Sequence, residues 1–351
     1  MTPALRVVAP GLLSTIQDTG RVGYQRLGIT VSGALDPLCL RAANLLAGNA
    51  PGVGALEIAY QGPTLRVEAD SVRVAFAGGN ASIDISDGDN GSGRRVPPWQ
   101  SVTLRKGEVI RIGALSGSAV GYLAVEGGFD IAPALGSQST LVRAGLGGLN
   151  GRPLQARDVL PLRHAAAEER AEMMLPPLDL APPKRFRIVF GPQDDYFTEK
   201  GKKTLLESTY TVSPASDRMG MRLAGPPLEH AKGYNIVSDG IAPGAIQVPG
   251  NGAPIILLAD RQTTGGYPKI ATVISADIPA LGRLTPGAHV AFEAVDIPAA
   301  EAAHRQFRAE LDGLAERVEP VRSTPQIDEA KLLAANLVSG MIDAHHFQED
   351  A

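Results

Sequence analysis

Short aliphatic and β-branched runs, each cut off by glycine, proline or a charged cluster, recur along this chain from Leu5 to Phe292. Forty glycines and 27 prolines supply the punctuation. That texture makes many short strands joined by tight turns and leaves little room for long helices. A mostly β protein is expected. At 351 residues the chain exceeds one ordinary core, so two domains are expected as well.

The first strand-rich block spans residues 1–164, with candidate strands at Val72–Phe76, Ser101–Leu104, Val109–Ile112 and Tyr122–Val125. One helix interrupts it. Asp36 can cap, Pro37 suits the first helical position, and Leu38–Ala47 follows until Gly48 and Asn49 stop it. Arg41 is its only charge and apolar residues lie all round, so it should be buried on both sides. A buried Asn44 then needs a specific polar partner. Residues 165–184 change character, from the acidic Glu168–Glu172 to two Pro-Pro pairs, and read as a linker. A second strand-rich block, 185–297, opens with Phe186–Phe190. In the tail, 298–351, Ala303, Phe307, Leu311, Leu314 and Val318 form a helical stripe, and a second helix is expected after Pro325, with Leu333, Leu337, Met341 and Ile342 on one side. This pair either packs on the chain itself or docks a partner, and such stripes usually face the core.

Charge is balanced, 33 Lys+Arg against 37 Asp+Glu, with no basic cluster, which argues against nucleic acid or a membrane as the main partner. No apolar run reaches the roughly 18 residues that span a bilayer. The N-terminus lacks an export signal, so a cytoplasmic location is expected. One cysteine excludes an internal disulfide, and Cys39 within the buried helix should act as a small hydrophobe. Six scattered histidines do not suggest a metal site. Neither a GxxxxGK[ST] phosphate loop nor a GxSxG elbow is present.

Polar chemistry concentrates in a few loops. The densest, Asp260–Lys269, lies between the apolar runs Ala253–Ala259 and Ile270–Ile274 and carries Asp260, Gln262, Thr263, Thr264, Gly265, Gly266, Tyr267 and Lys269. Reversal alone needs only turn residues, whereas the paired glycines let backbone approach a ligand. Upstream, Arg218 and Arg222 are four residues apart, a spacing that puts both on one side of a strand or a helix. Ser238, Asp239 and Gln247 follow. Arg218, Arg222, Gln247, Gln262 and Lys269 together could hold an anionic, amide-bearing small molecule. The first block adds Arg21, Tyr24, Asp36, Asn44, Glu57, Ser137 and Thr140. Arg21 either offers its fork to a carboxylate or phosphate, or pairs with Asp18 in a turn.

These motifs in this order, DTGR with GY (18–24), SGALD (32–36), EGG and GSQST (126–140), SDRMGMRL (216–223), SDG with GAIQVP (238–249) and DRQTTGGYPK (260–269), resemble the family known as the 5-oxoprolinase C subunit, KipI antagonist and allophanate hydrolase subunit 2. The carboxyltransferase region of urea carboxylase is similar. The resemblance covers about residues 5–293. It implies two tandem cyclophilin-like β-barrel domains, a KipI-type partner (the B subunit), a further partner (the A subunit), and ATP-dependent opening of the lactam 5-oxoproline to glutamate. ATP would be used by the complex, at a site shared with a partner, since no nucleotide motif is visible here. Two alternatives accompany this reading. One is a biotin-dependent carboxyltransferase component that acts on urea or a related amide or lactam; no biotin would be attached to this chain, which lacks a biotinyl-lysine motif. The other is a regulatory protein that binds a KipI-type kinase inhibitor. Amidase chemistry is not expected, because no Ser–Ser–Lys apparatus is present.

Overall fold

A computed structural model describes residues 2–88 and 93–321. The expected second helix after Pro325 lies outside the described residues. The chain forms two β-domains. The first combines a six-stranded antiparallel sheet, ordered Val159–Pro161, Ala4–Ala9, Thr64–Val67, Val109–Ile112, Ile83–Ser86 and Gly93–Val96, with a seven-stranded sheet. That second sheet is ordered Leu13–Gln17, Ala55–Ala59, Ser116–Val125, Ser71–Asn80, Gln100–Arg105, Met173–Met174 and Glu319–Pro320. Alternate inward residues such as Leu5, Val7, Leu65, Val67, Val74 and Phe76 fill the space between the sheets. The other domain is an eight-stranded sheet, with Gly220–Ala224, Ile255–Leu257, Ala245–Gln247 and Lys269–Val273 adjacent at its centre. A small two-stranded antiparallel sheet pairs Asp239–Gly240 with Thr264–Gly265.

Helix α1, Pro37–Ala47, forms as its end signals dictate. The Asp36 carboxylate accepts from the backbone N–H groups of Leu38 and Cys39, and Gly48 ends the helix with a φ of 81°, where a side chain would be strained. The helix covers the outer face of the seven-stranded sheet against Ala75, Ala77, Val120, Tyr122 and Ala124. Its buried Asn44 donates to the Val53 carbonyl at 2.8 Å and accepts from Asn49 at 3.0 Å, so its partners are the loop that follows the helix. Cys39 is fully buried and its thiol pKa is pushed well up by burial and by Asp36. Helices α2, Glu199–Glu207, and α3, Ile278–Gly282, belong to the second domain.

Helix α4, Ile297–Gly313, connects the two domains. It packs near Phe186–Phe190 at its start, and its stripe ends with Leu311 and Leu314 buried beside α1. The stripe packs on the chain itself. The stretch expected as a linker is likewise built into the first domain. Met173–Met174 extends the seven-stranded sheet and Leu175 is buried. Glu172 bonds Ser101, Thr103 and Arg73 at 2.5, 2.6 and 3.2 Å, while Arg170 reaches Glu126 and the Ala47 carbonyl. Arg73, almost fully buried, explains this: the acidic turn supplies one of the two carboxylates that neutralise it, and Glu126 supplies the other at 2.8 Å. None of the helices among the described residues is long and apolar enough to cross a membrane.

Arg73→Ala leaves Glu172 without a cation and Glu126 with Arg170 alone. It should cost about 3–5 kcal/mol, read as a lower urea midpoint, and make the 165–175 stretch the first point of proteolytic cleavage.

Candidate functional site

The polar residues gathered by the fold fall into three groups, and the first lies at the junction between the domains. Glu57, on the Ala55–Ala59 strand, faces Arg218 of the second domain, and the two form a buried ion pair. Arg218 also grips Asp260 with two nitrogens, at 2.8 and 3.1 Å, and donates to the Gly33 carbonyl at 2.6 Å. Glu57 further accepts from the Tyr122 hydroxyl at 2.6 Å and from the backbone N–H of Leu35 at 2.8 Å. Ser32 donates to Asp260 at 2.6 Å, and Arg283 bonds Asp36 at 2.9 Å. Burial alone would lower the pKa of Arg218, but Glu57 and Asp260 outweigh it and raise the pKa, so the guanidinium is fixed as a cation. Tyr122 is pushed well above the usual phenol range by burial and by the Glu57 and Asp36 charges. All three nitrogens of Arg218 and all the carboxylates here are engaged by the protein, with only the buried Nε of Arg283 left without a partner, which makes Arg218, Glu57, Asp36 and Asp260 a clamp between domains.

The second group is a loop network of the first domain. Asp18 accepts from Ser137, Ser139, Gly20 N–H and Gln138 N–H at 2.5–2.7 Å. Thr140 donates to the Ile16 carbonyl at 3.0 Å. Arg21, only 1% exposed, makes no ion pair with Asp18; it donates to the carbonyls of Ser139 and Ala134, and its Nη1 has no partner. Burial lowers its pKa, with the Asp18 and Asp260 charges opposing. Tyr24 caps a surface 3-10 turn. Asn44 stays apart from this network, held in α1 as described.

The third group lines an open cleft of about 560 Å³ that both domains build. Arg222 enters from the Gly220–Ala224 strand, Gln247 from Ala245–Gln247, and Gln262 and Tyr267 from the Asp260–Lys269 loop. Arg143, from a 3-10 turn of the first domain, joins them together with Asn251. The side chains of Arg143 and Arg222 have no acidic partner among the described residues. Gln262 Nε2 donates to Gln247 Oε1 at 3.3 Å, leaving Gln247 Nε2 and Gln262 Oε1 unpaired although both are buried. Exchanging O and N in both amides leaves the same remainder, one free donor and one free acceptor. Gly265 roofs the pair: a Cβ there would stand 2.6 Å from Gln247 Nε2, so a side chain would have to displace the amide. Lys269 is the cross-strand neighbour of Gln247 and is tied at 3.0 Å to Asp239, which Gln193 also holds. Those contacts with Lys269 and then Gln193 lower the Asp239 pKa. Ser238, Thr263 and Thr264 sit on or beside the two-stranded sheet above, with Gly266 close to Ser238.

Arg218 and Arg222 therefore do not act together, although their spacing suggests it. The Asp217 side chain accepts from the N–H groups of Met219 and Gly220, so a turn separates Arg218 from the strand that carries Arg222. One points into the junction, the other lines the cleft. Sequence reading missed Ser32, Tyr122, Arg283 and Arg143; SGALD contained the first, and nothing local marked the last.

Residues 27–294 match the family described as carboxyltransferase domain, subdomain A and B. The chain belongs to this family. Among individual proteins it is 38% identical to the 5-oxoprolinase C subunit of Haemophilus influenzae over 301 residues, which is 85% of this chain and 94% of that one. It is 34% identical to the Escherichia coli 5-oxoprolinase C subunit, covering 90% of this chain and 98% of the relative. The structure of Kluyveromyces lactis urea amidolyase superposes with a TM-score of 0.79 at 27% identity, covering 91% of this chain but only 21% of the much longer enzyme. A mostly β fold of two tandem cyclophilin-like barrels accords with these neighbours.

Two outcomes separate the clamp from the cleft. Arg218→Ala should destabilise the protein by about 3–5 kcal/mol because Glu57 and Asp260 stay buried without a cation, and Arg218→Lys should restore little, since a point charge cannot bridge both carboxylates. Denaturant midpoints decide this. Alkaline stability tests the phenol. Above about pH 10 the unfolded chain releases the Tyr122 proton while the folded chain keeps it, so this contribution is whole below pH 10 and falls as pH rises through the elevated folded value. Tyr122→Phe should show a flatter loss of stability between about pH 9 and 11 than the native chain.

Proposed function

We propose that this chain is a subunit of a 5-oxoprolinase complex that opens 5-oxoproline to glutamate, and that the cleft holding Arg143, Arg222, Gln247 and Gln262 is its substrate site. One observation carries the reading: two arginines without acidic partners flank two buried amides with one donor and one acceptor unused. 5-Oxoproline carries a carboxylate and a ring amide whose N–H and C=O are held cis, so both project from one edge. The arginines suit the carboxylate and the glutamine pair suits the amide edge. The strand bearing Gly265 would have to lift for the ring to reach the amides. Relatives that bear the name of the 5-oxoprolinase C subunit and match most of the chain support the assignment.

Amide resonance makes the lactam carbon a poor electrophile. ATP, as a second substrate of the complex, supplies the phosphoryl group that activates the amide oxygen. ATP would bind at a surface shared with a partner, either the KipI-type B subunit or the A subunit. This chain's own part is orientation: fixed donors hold the ring in one pose and face charge that develops on it.

The family match and the urea amidolyase superposition favour a second reading, carboxyl transfer to an amide or lactam, with carboxybiotin delivered on another protein. ADP release by the chain assembled with both partners, with and without 5-oxoproline, decides between them. Stimulation accompanied by glutamate supports ring opening; an assembled but unresponsive complex that consumes a carboxybiotin donor supports transfer. Arg222→Ala should lower 5-oxoproline-dependent turnover at least about a hundredfold while leaving the thermal midpoint within a degree or two, because Arg222 is exposed and unpaired.

A further inference from the structure

A smaller pocket of about 240 Å³ lies on the other side of the Asp260–Lys269 loop, between the domains. Val31 and Pro37 wall it from the first domain, Pro243 and Ile278 from the second, and Phe307 of α4 closes one side. Arg261 also lines it and is only 4% exposed. Its Nε donates to the Ile241 carbonyl at 3.1 Å and its Nη1 makes a long contact, 3.4 Å, with the Leu258 carbonyl. Its Nη2 has no protein partner, and no carboxylate forms an ion pair with it, among the described residues. The neighbouring Asp260 is already engaged by Arg218 and Ser32.

This arrangement differs from that of the other buried arginines of the chain. Arg73, Arg218 and Arg283 each face at least one carboxylate. Arg21 has none in contact, yet the charges of Asp18 and Asp260 act on it. For Arg261 burial alone lowers the pKa, and no acidic group opposes it. A guanidinium nevertheless stays protonated, and a largely buried cation with no anion in contact is costly. Apart from Ser32, which bonds Asp260, and Ser275, which bonds His304, the remaining walls are apolar side chains, and the volume equals roughly eight waters at about 30 Å³ each.

We infer that the Arg261 pocket is a binding site for a small monocarboxylate with a compact apolar body, distinct from the cleft. The carboxylate takes the open side of the guanidinium, and the aliphatic body fills the space between Val31, Ile278 and Phe307. Because both domains and α4 contribute walls, the ligand binds only the docked arrangement and stabilises it by mass action.

Thermal unfolding of the full chain in 2-methylpropanoate, against 2-methylpropanamide and sodium chloride at matched ionic strength, tests this. The carboxylate should raise the midpoint saturably, by about 5 °C at a hundred times its Kd, and the amide and the salt should not. Arg261→Gln retains a donor for the two carbonyls but lacks the charge, and should lose the rise. Ala34→Leu, which fills the pocket from the first domain, should lose it as well and guards against a folding defect in the first variant. Arg222→Ala should keep it in full. The inference is overturned if the native chain shows no carboxylate-specific saturable rise, as when an acidic side chain of the protein already occupies the site. Persistence of the rise in either pocket variant, or its loss in Arg222→Ala, overturns it equally.

Discussion

A single guanidinium, that of Arg218, holds a carboxylate from each domain, and the placement of everything functional depends on it. Buried ion pairs contribute little net stability because desolvation offsets most of the attraction, but losing one partner is costly. Such a pair therefore specifies geometry more than it adds stability. Here it sets how the second domain sits on the first: Glu57 and the Gly33 carbonyl define where Arg218 must lie, and Arg283 repeats the constraint at Asp36. The cleft follows from that registration, since Arg143 comes from one domain and Arg222, Gln247 and Gln262 from the other.

The loop Asp260–Lys269 shows how one short stretch serves several ends. Asp260 goes to the clamp, Arg261 to the interdomain pocket, Gln262 and Tyr267 to the cleft, and Lys269 to Asp239 of the small two-stranded sheet. Its density of chemistry is legible from the residues alone. The division of labour is not, because successive residues of an irregular loop point in directions that no fixed period describes.

The same distinction runs through the rest of the chain. Helix α1 is readable because its signals are local: Asp36, Pro37 and Gly48 act on backbone within a turn of themselves. Strands such as Val109–Ile112 and Phe186–Phe190 are readable from short runs with flanking breakers. The 165–184 stretch is not, because its proline-rich texture hides Glu172, whose role depends on Arg73 nearly a hundred residues earlier. Arg218 and Arg222 are grouped by a spacing rule that holds only inside one regular element, and the Asp217 turn breaks it. Arg143 and Arg261 stand out only by what they lack, a carboxylate within reach, and that is a property of three dimensions.

The pairing of Met173 with Pro320 and of Met174 with Glu319 has a topological consequence. Residues more than 140 positions apart lie side by side on the sheet of the first domain, so the chain leaves that sheet, builds the whole second domain, and returns to where it left. The second domain is thus an insertion with neighbouring ends, and the first is a discontinuous unit completed only by residues near Pro320. A chain cut after the proline-rich stretch would lack the outermost strand of that sheet and the α4 side chains that cover α1. The outermost strand of the first domain is therefore added only after the second has been synthesised.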